Sequence, residues 1–239
     1  MGSLHGVIFY IKNMKISIFK KQNDKFKKSF SQCGEDMIID YVFRLRGVEM
    51  PTYLDIGSFH PWILSNTAYF YERGCRGINI DANPENIESF IKHRPGDINL
   101  NFGVGDRNGE AKFYVMKDRT LSTLSKIEVE AMEKQGKELE RIEVVQIRNI
   151  QSILGEYSNN VFPDFLSIDV EGYELEILKT IDYKVNSPKI ICIEIAEYSS
   201  IGAGKKKIDL LNFLLNNGYY EYACTNLNSI LVKNEFWYI

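Results

Sequence analysis

The chain has 239 residues, 44% of them hydrophobic and 13% aromatic, which suits one α/β domain with a sizeable core. Its 29 basic and 32 acidic residues give a formal net charge of −3, so no basic excess points to a nucleic acid partner. No apolar run approaches the ~20 residues of a transmembrane segment. The four cysteines form no CxxC pair. We therefore expect a cytoplasmic protein without disulfides or a zinc site.

Segments typical of strands and of helices alternate along the chain. Residues 1–30 are a locally basic N-terminal appendage, and residues 31–239 are predicted to form a single domain with an insertion at about 106–147. The first predicted elements are a helix at 35–46, a strand at 53–56, a helix at 66–73, a strand at 77–81, a helix at 84–92 and a strand at 98–104. In the insertion, the Asn108-Gly109 turn predicts a hairpin between that last strand and a strand at 110–116.

The remaining elements continue the alternation. They are a helix at 126–139, a strand at 142–147, a helix at 150–156, a strand at 165–169, a helix at 173–181, a strand at 190–195, a helix at 206–216 and a terminal hairpin of 218–225 with 229–233. Strands that alternate with helices, joined by right-handed crossovers, predict an α/β fold with a doubly wound, Rossmann-like sheet.

Two strand ends indicate a nucleoside-binding crevice. Asp55 ends the first strand and Asp81 ends the second. Ligands of open α/β sheets bind beyond the carboxyl ends of the strands, where an acid about 20 residues after the first strand binds a ribose diol. Asp81 follows Asp55 by 26 positions. Each aspartate also has a structural alternative, which is to cap the helix that follows it.

The loop after the first strand separates two classes of cofactor. It has a single glycine, Gly57, followed by the bulky residues 58–62, whereas a dinucleotide loop needs several glycines so that the backbone can approach a pyrophosphate. Asp55 is unfavourable beside phosphates but favourable near the positively charged methionine end of S-adenosyl-L-methionine. The loop therefore favours a methyltransferase. A nicotinamide-dependent oxidoreductase and a catalytically silent binding module stay as alternatives.

Several motifs resemble those of FkbM-type S-adenosylmethionine-dependent methyltransferases. The matching segments are Ser31-Gln32-Cys33-Gly34-Glu35-Asp36, Tyr53-Leu54-Asp55-Ile56-Gly57-Ser58, Ser65-Asn66-Thr67, residues 74–84, Gly103-Val104-Gly105 and residues 165–174. The resemblance implies a class I methyltransferase sheet with a C-terminal antiparallel hairpin. It also implies an O-methyltransferase that acts on a sugar, such as a heptose, in its free or nucleotide-activated form, for capsular or surface polysaccharide.

The cofactor site that follows from this reading spans three strand ends. Asp55, Gly57 and Ser58 lie at the first strand end, Asp81, Ala82 and Asn83 at the second, and Val104, Gly105 and Asp106 at the third. Val104 is expected to pack on the adenine, and Asp106 to accept a hydrogen bond from its amino group. Because Phe59 and Pro61 stand where related enzymes have glycines, Gln32, Glu35, Asn66 and Thr67 are expected to help bind the methionine end.

Acids at two later strand ends predict the reactive centre. Asp169 and Glu171 follow one strand, and Glu194 ends the next. Converging carboxylates repel one another unless a proton or cation lies among them, and oxygen ligands suit Mg²⁺ or Mn²⁺. Asp169 and Glu171 are candidate catalytic groups, and His60 offers a different base. Resemblance to sugar O-methyltransferases makes Asp169 and Glu194 candidate metal ligands, with Glu197 as a weaker third. A homo-oligomer stays open.

Overall fold

A computed structural model describes residues 27–196 and 204–238. The predicted appendage therefore lies largely outside the described residues, as does Glu197. The helices are α1 (Glu35–Leu45), α2 (Ala68–Glu72), α3 (Pro84–His93), α4 (Lys126–Lys134), α5 (Ile150–Tyr157), α6 (Glu174–Leu178), α7 (Ile208–Asn216) and α8 (Asn234–Trp237), with a 3₁₀ turn at Arg119–Leu121. None of the helices in these ranges is long and apolar enough to cross a membrane.

The strands form a seven-stranded sheet and a three-stranded sheet. They are β1 (Tyr53–Ile56), β2 (Gly77–Asp81), β3 (Ile98–Asn101), β4 (Gly103–Val104), β5 (Gly109–Met116), β6 (Leu139–Arg148), β7 (Phe165–Ile168), β8 (Ile190–Glu194), β9 (Tyr219–Cys224) and β10 (Asn228–Lys233). The order of the large sheet is β3-β2-β1-β7-β8-β10-β9, in which β10 pairs antiparallel with β8 and β9 and all other pairs are parallel. The predicted doubly wound sheet with a closing hairpin is confirmed.

The central strands are buried on both faces, which explains why they are apolar runs in the sequence. All four residues of β1 and all four of β7 are buried. Because side chains alternate along a strand, Leu54 and Ile56 join one hydrophobic cluster, while Tyr53 joins a second cluster on the other face with Phe165. The carboxyl ends of β1, β2, β7 and β8 are therefore held on a rigid, two-sided core.

The insertion pairs differently from the sequence prediction. The predicted third strand splits into β3, in the large sheet, and the short β4, in the small sheet. The order of the small sheet is β4-β6-β5, so β6 lies between the two strands that were predicted to form a hairpin. The predicted hairpin is therefore wrong. The Asn108 side chain instead anchors the turn to the start of α5, accepting from Asn149 N at 2.9 Å and donating to Ser152 Oγ at 2.7 Å.

The order in which strands are added to the sheet reverses at β1, which has β2 on one side and β7 on the other. At such a point the connections leave the sheet in opposite directions and open a crevice at the carboxyl edge. Helix α3 begins at this edge, because Asn83 accepts from Glu85 N at 3.1 Å and Pro84 occupies the first helical turn. The fold therefore brings the predicted strand-end acids to one crevice.

Candidate active site

A cavity of about 360 Å³ lies in this crevice, a size typical of small-molecule sites. Most of the predicted site residues line it. These are Gln32, Asp55, Gly57, Ser58, His60, Asn66, Asp81, Ala82, Asn83, Val104, Asp169, Glu171 and Glu194. The residues predicted to bind the donor and those predicted to react therefore share one cavity.

Gly57 marks a close approach between the ends of β1 and β7. Its φ is +81°, and a Cβ atom there would lie 1.7 Å from the carbonyl oxygen of Asp169. The backbone N–H groups of Gly57 and Ser58 both donate to Ile80 O, at 2.9 and 3.1 Å. They are not free to bind a pyrophosphate, which is the role of such groups in dinucleotide loops. The geometry thus argues against the nicotinamide alternative.

A buried polar network supports Asp55 from behind. Thr67 Oγ1 donates to Asp55 Oδ2 at 2.6 Å and accepts from Arg94 Nη1 at 3.0 Å. The Arg94 side chain has no exposed area and pairs with Asp97 at 2.8 Å. Burial raises the pKa of Asp55, while Thr67 and the positive charge of Arg94 oppose that rise. Thr67, a predicted cofactor residue, therefore acts behind the cavity wall, and Arg94 is a part of the site that sequence reasoning missed.

Asp81 faces the cavity with part of its hydrogen-bonding capacity already used. Asn83 N donates to Oδ1 at 2.6 Å, and Asn86 Nδ2 donates to Oδ2 at 3.1 Å. A carboxylate has about four lone-pair positions, so each oxygen retains capacity for one further donor, as a ribose diol would require. Burial raises the pKa of Asp81 to about 7. The side chain of Asn83 caps α3, so its role at the cavity is mainly to position Asp81.

Two further features of the lining fit S-adenosyl-L-methionine. The hydroxyl of Ser58 is buried without a hydrogen-bond partner among the described residues, which is costly unless a ligand supplies one. Apolar side chains form a wall suited to an adenine ring, and they are Ile80, Phe102, Val104, Phe113, Leu121 and Leu124. Gln32 and Asn66 lie along the lining, where Asn66 Nδ2 donates to Ser167 Oγ at 3.2 Å. The residues present therefore fit this cofactor.

Three other predicted cofactor residues lie outside the cavity lining. Glu35 accepts from Thr225 Oγ1 at 2.8 Å and from Asn228 Nδ2 at 3.0 Å, which ties α1 to the β9–β10 turn. Gly105 N donates to Arg148 O at 3.0 Å. Asp106 pairs with Arg107 at 3.3 Å on the surface. These positions do not support the predicted contact of Asp106 with adenine, and they give Glu35 a positioning role.

Carboxylates converge at the ends of β7 and β8. Asp169 and Glu194 line the cavity, and Glu174 lies beside them with oxygens of all three within 4.8 Å. Asp169 faces the open cavity, yet burial of its carboxylate and the charge of Glu174 raise its pKa to about 7. Burial and the charge of Asp169 raise the pKa of Glu194 to about 9. Asp169 and Glu194 are therefore poised to hold protons near neutral pH.

Glu171 enters this cluster from a strained turn. Its φ is +54°, which is uncommon for a residue with a side chain. Thr123 Oγ1, from the insertion, donates to the carbonyl oxygen of Glu171 at 2.7 Å and helps to hold the turn. Burial and the charge of Asp169 raise the pKa of Glu171 well above its ordinary value. Backbone strain of this kind concentrates at functional sites.

One lysine already supplies positive charge to the carboxylates. Lys207 Nζ lies 3.7 Å from Glu174 Oε2 and 3.8 Å from Glu194 Oε2, and the side chain is only 18% exposed. The carboxylate of Glu174 also accepts from the backbone N–H groups of Val170 and Gly172, at 3.1 to 3.2 Å. With an ammonium among these oxygens, the donor set does not fit a divalent ion, so this arrangement does not support the predicted Mg²⁺ or Mn²⁺ at Asp169 and Glu194.

His60 is better placed to donate a hydrogen bond than to accept a proton. Its Nδ1 accepts from Trp62 N at 3.1 Å and from Ile63 N at 3.0 Å. This pattern assigns the proton of the neutral ring to Nε2. Burial lowers the pKa of His60 and favours that neutral ring. A role in binding substrate therefore stays a prediction, and the geometry disfavours a role as base.

The strand order and the cavity together define the class of this protein. A parallel sheet with one antiparallel strand inserted next to its edge, and a ligand cavity at the carboxyl ends, is the Rossmann-like fold of class I methyltransferases. The chain belongs to the FkbM methyltransferase family, because the profile of the Methyltransferase FkbM domain matches residues 55–220. The resemblance seen in the motifs is thereby confirmed.

Two solved methyltransferase structures are similar to the chain. Methyltransferase FkbM from Methylobacillus flagellatus is 15% identical with a TM-score of 0.44, and the match covers 77% of this chain and 43% of that one. Precorrin-6y C5,15-methyltransferase from Geobacter metallireducens is 12% identical with a TM-score of 0.40, and the match covers 83% of this chain and 86% of that one. No curated protein matched the chain.

Proposed function

We propose that this methyltransferase domain transfers the methyl group of S-adenosyl-L-methionine to a hydroxyl of a sugar, free or nucleotide-activated. The observation that carries the proposal is the single cavity with Asp81 at one end and the carboxylates around Asp169 at the other. The first end suits a ribose diol, and the second suits a hydroxyl that must lose a proton. A role in capsular or surface polysaccharide belongs to the same proposal.

The residues at the donor end would hold the polar parts of the cofactor by hydrogen bonds and its adenine by apolar packing. Asp81 would accept from the ribose hydroxyls, Val104 and Phe102 would pack on the adenine, and Ser58 would donate to the methionine end. S-adenosyl-L-methionine supplies an electrophilic methyl group on a positively charged sulfur. Asp55 is buried and lines the cavity, where a negative charge on it would favour positive charge in the cavity.

At the reactive end, the residues of the chain would bind the acceptor and take its proton. Methyl transfer is an in-line displacement, so alignment of donor and acceptor supplies much of the rate. Asp169 lines the cavity and has a pKa of about 7, which suits a base that works near neutral pH. Glu171 lies in the same cluster and is the second candidate base. His60 would donate a hydrogen bond to a sugar oxygen through Nε2.

A methyl-transfer screen tests the proposal directly. The full chain is incubated with methyl-labelled S-adenosyl-L-methionine and a panel of sugars and nucleotide sugars, heptoses included, and the products are read by mass spectrometry. We expect a mass gain of one methyl group on one class of sugar. Asp169→Asn should retain S-adenosylhomocysteine binding by calorimetry and lose at least about tenfold in turnover. Binding of NAD(P) in place of S-adenosylhomocysteine would overturn the proposal, and so would binding with no methylated sugar in the panel.

A further inference from the structure

The cation among the carboxylates is part of the chain itself. Lys207 comes from the segment just before α7, and its backbone N–H donates to Ile195 O at 2.6 Å. That bond holds Lys207 beside the end of β8, because Ile195 directly follows Glu194, the last residue of the strand. The ammonium then lies within 4 Å of Glu174 and Glu194, two of the three oxygen donors that converge there.

Local geometry separates Lys207 from its neighbour. Lys206 forms an isolated bridge with Ala196, and its ammonium donates to Glu221 Oε1 at 2.7 Å, in β9. Consecutive residues of an extended segment point to opposite sides, so Lys206 faces the terminal hairpin while Lys207 faces the carboxylates. The two lysines are therefore alike in chemistry and adjacent in sequence, but only Lys207 has access to the cluster.

Lys207 supplies the positive charge that lies beside the carboxylates at the ends of β7 and β8. Without it, the acids Asp169, Glu171, Glu174 and Glu194 would share one crevice with no opposite charge from this segment. Carboxylate oxygens that converge this closely repel one another, and an ammonium within 4 Å of two of them offsets that repulsion. A divalent ion could offset it as well, but it would have to lie beside the ammonium, and the two positive charges would repel each other.

We propose that Lys207 is a resident cation that takes the place of a divalent metal in the carboxylate cluster, positioning Glu174 and Glu194 so that methyl transfer needs no metal. The inference deepens the proposed function and rests on it for its activity measurements. Lys207 is a positioning residue in this proposal, since it acts on the acceptor only through the carboxylates. The same oxygens would become available to a divalent ion only when the ammonium is removed.

The test compares Lys207→Met, Lys207→Arg and the control Lys206→Met with the unaltered full chain. Binding of Mn²⁺ is followed by electron paramagnetic resonance without donor or acceptor, so this measurement does not depend on the proposed function. We expect the unaltered protein, Lys206→Met and Lys207→Arg to bind Mn²⁺ only weakly. We expect Lys207→Met to bind it at least tenfold more tightly, because three carboxylates then lack a cation.

Turnover supplies the second measurement, with the sugar acceptor found in the screen. We expect the unaltered protein to keep its full rate in excess chelator, and Lys207→Met to lose at least tenfold and to regain part of that loss with added Mg²⁺. Lys207→Arg should keep most of the rate. Chelator that abolishes turnover of the unaltered protein would overturn the inference, as would Mn²⁺ binding by that protein as tight as in Lys207→Met. If Lys207→Met does not fold, tight Mn²⁺ binding by the unaltered protein, or loss of its turnover in excess chelator, would still overturn the inference.

Discussion

At the scale of single residues, Gly57 allows the ends of β1 and β7 to approach closely beside the cavity. The end of β1 passes so close to β7 that a side chain at this position would occupy the space of the Asp169 carbonyl oxygen. The same contact sets the position of Asp169, since its N–H donates to Ile56 O at 3.0 Å. One residue without a side chain therefore joins the donor end of the cavity to the reactive end.

Gly57→Ala tests this role against a matched glycine. The φ of Gly57 is +81° and that of Gly136 is +82°, but only Gly57 has backbone atoms in the way of a Cβ. We expect Gly136→Ala to cost about 1 kcal/mol in the free energy of unfolding, which is the cost of the backbone conformation. Gly57→Ala should cost about 3 kcal/mol or more, because the strands must also move apart. Urea denaturation measures both, and equal losses would contradict the close approach.

Asp81 should make stability depend on pH in a predictable direction. Burial raises its pKa to about 7 in the folded protein, whereas the unfolded chain releases this proton near pH 4. The folded state therefore binds the proton more tightly, and its contribution to stability is lost as the pH rises from about 4 to about 7. The contribution is at most about 4 kcal/mol. Asp81→Asn should unfold in urea with a flatter pH dependence than the unaltered protein; identical slopes would contradict the assignment.

At the scale of elements, the Arg94 network joins α3 to the first two strands. Arg94 follows the last residue of α3 and donates to Tyr53 OH in β1 at 2.8 Å. Its partner Asp97 accepts from Tyr53 and from Asn79 Nδ2 in β2, the latter at 3.0 Å. The network reaches the cavity through Thr67 and Asp55. The helix is thereby fixed against the sheet at the place where the donor is expected to bind.

Arg94→Met should destabilise the protein strongly, because it leaves the carboxylate of Asp97 buried without its ion pair. Losing one partner of a buried pair costs about 3–5 kcal/mol. Arg107→Met removes a surface pair that is 65% exposed on the arginine side and should cost far less. Urea denaturation compares the two variants, and calorimetry with S-adenosylhomocysteine should also show weaker binding for Arg94→Met alone. A loss no larger than that of Arg107→Met would contradict the role of the network.

The sequence was sufficient for the elements whose signals are local. Strands β1, β2 and β7 are buried on both faces, so each is recognisable in the sequence as a mainly apolar run followed by polar residues. The partner of β5 was not predictable, because a turn at Asn108-Gly109 shows where the chain reverses but not which strand lies beside it. Arg94 resembles a surface residue at a helix end. The polar Asn79 inside β2 was the sequence signal of a buried network.

At the scale of the whole molecule, the insertion contributes a segment to the wall of the cavity. Segment 119–124 lies between β5 and α4 and lines the cavity. It is attached to β5 by reciprocal backbone hydrogen bonds between Thr123 and Tyr114, at 2.8 and 3.1 Å. Thr123 also reaches the turn of Glu171. A donor bound beneath this segment would therefore contact the small sheet and the large sheet at once.

Hydrogen exchange should show this coupling. With S-adenosylhomocysteine at about 100 times its dissociation constant, amides that exchange only from the ligand-free state should slow by up to about 100-fold. We expect this slowing at 57–60, at 81–83 and in segment 119–124, whereas β9, the strand at the far edge of the sheet, should exchange unchanged. Slowing at the strand ends without any in segment 119–124 would mean that the insertion does not contact the donor. Segment 119–124 could then serve only to bind the acceptor.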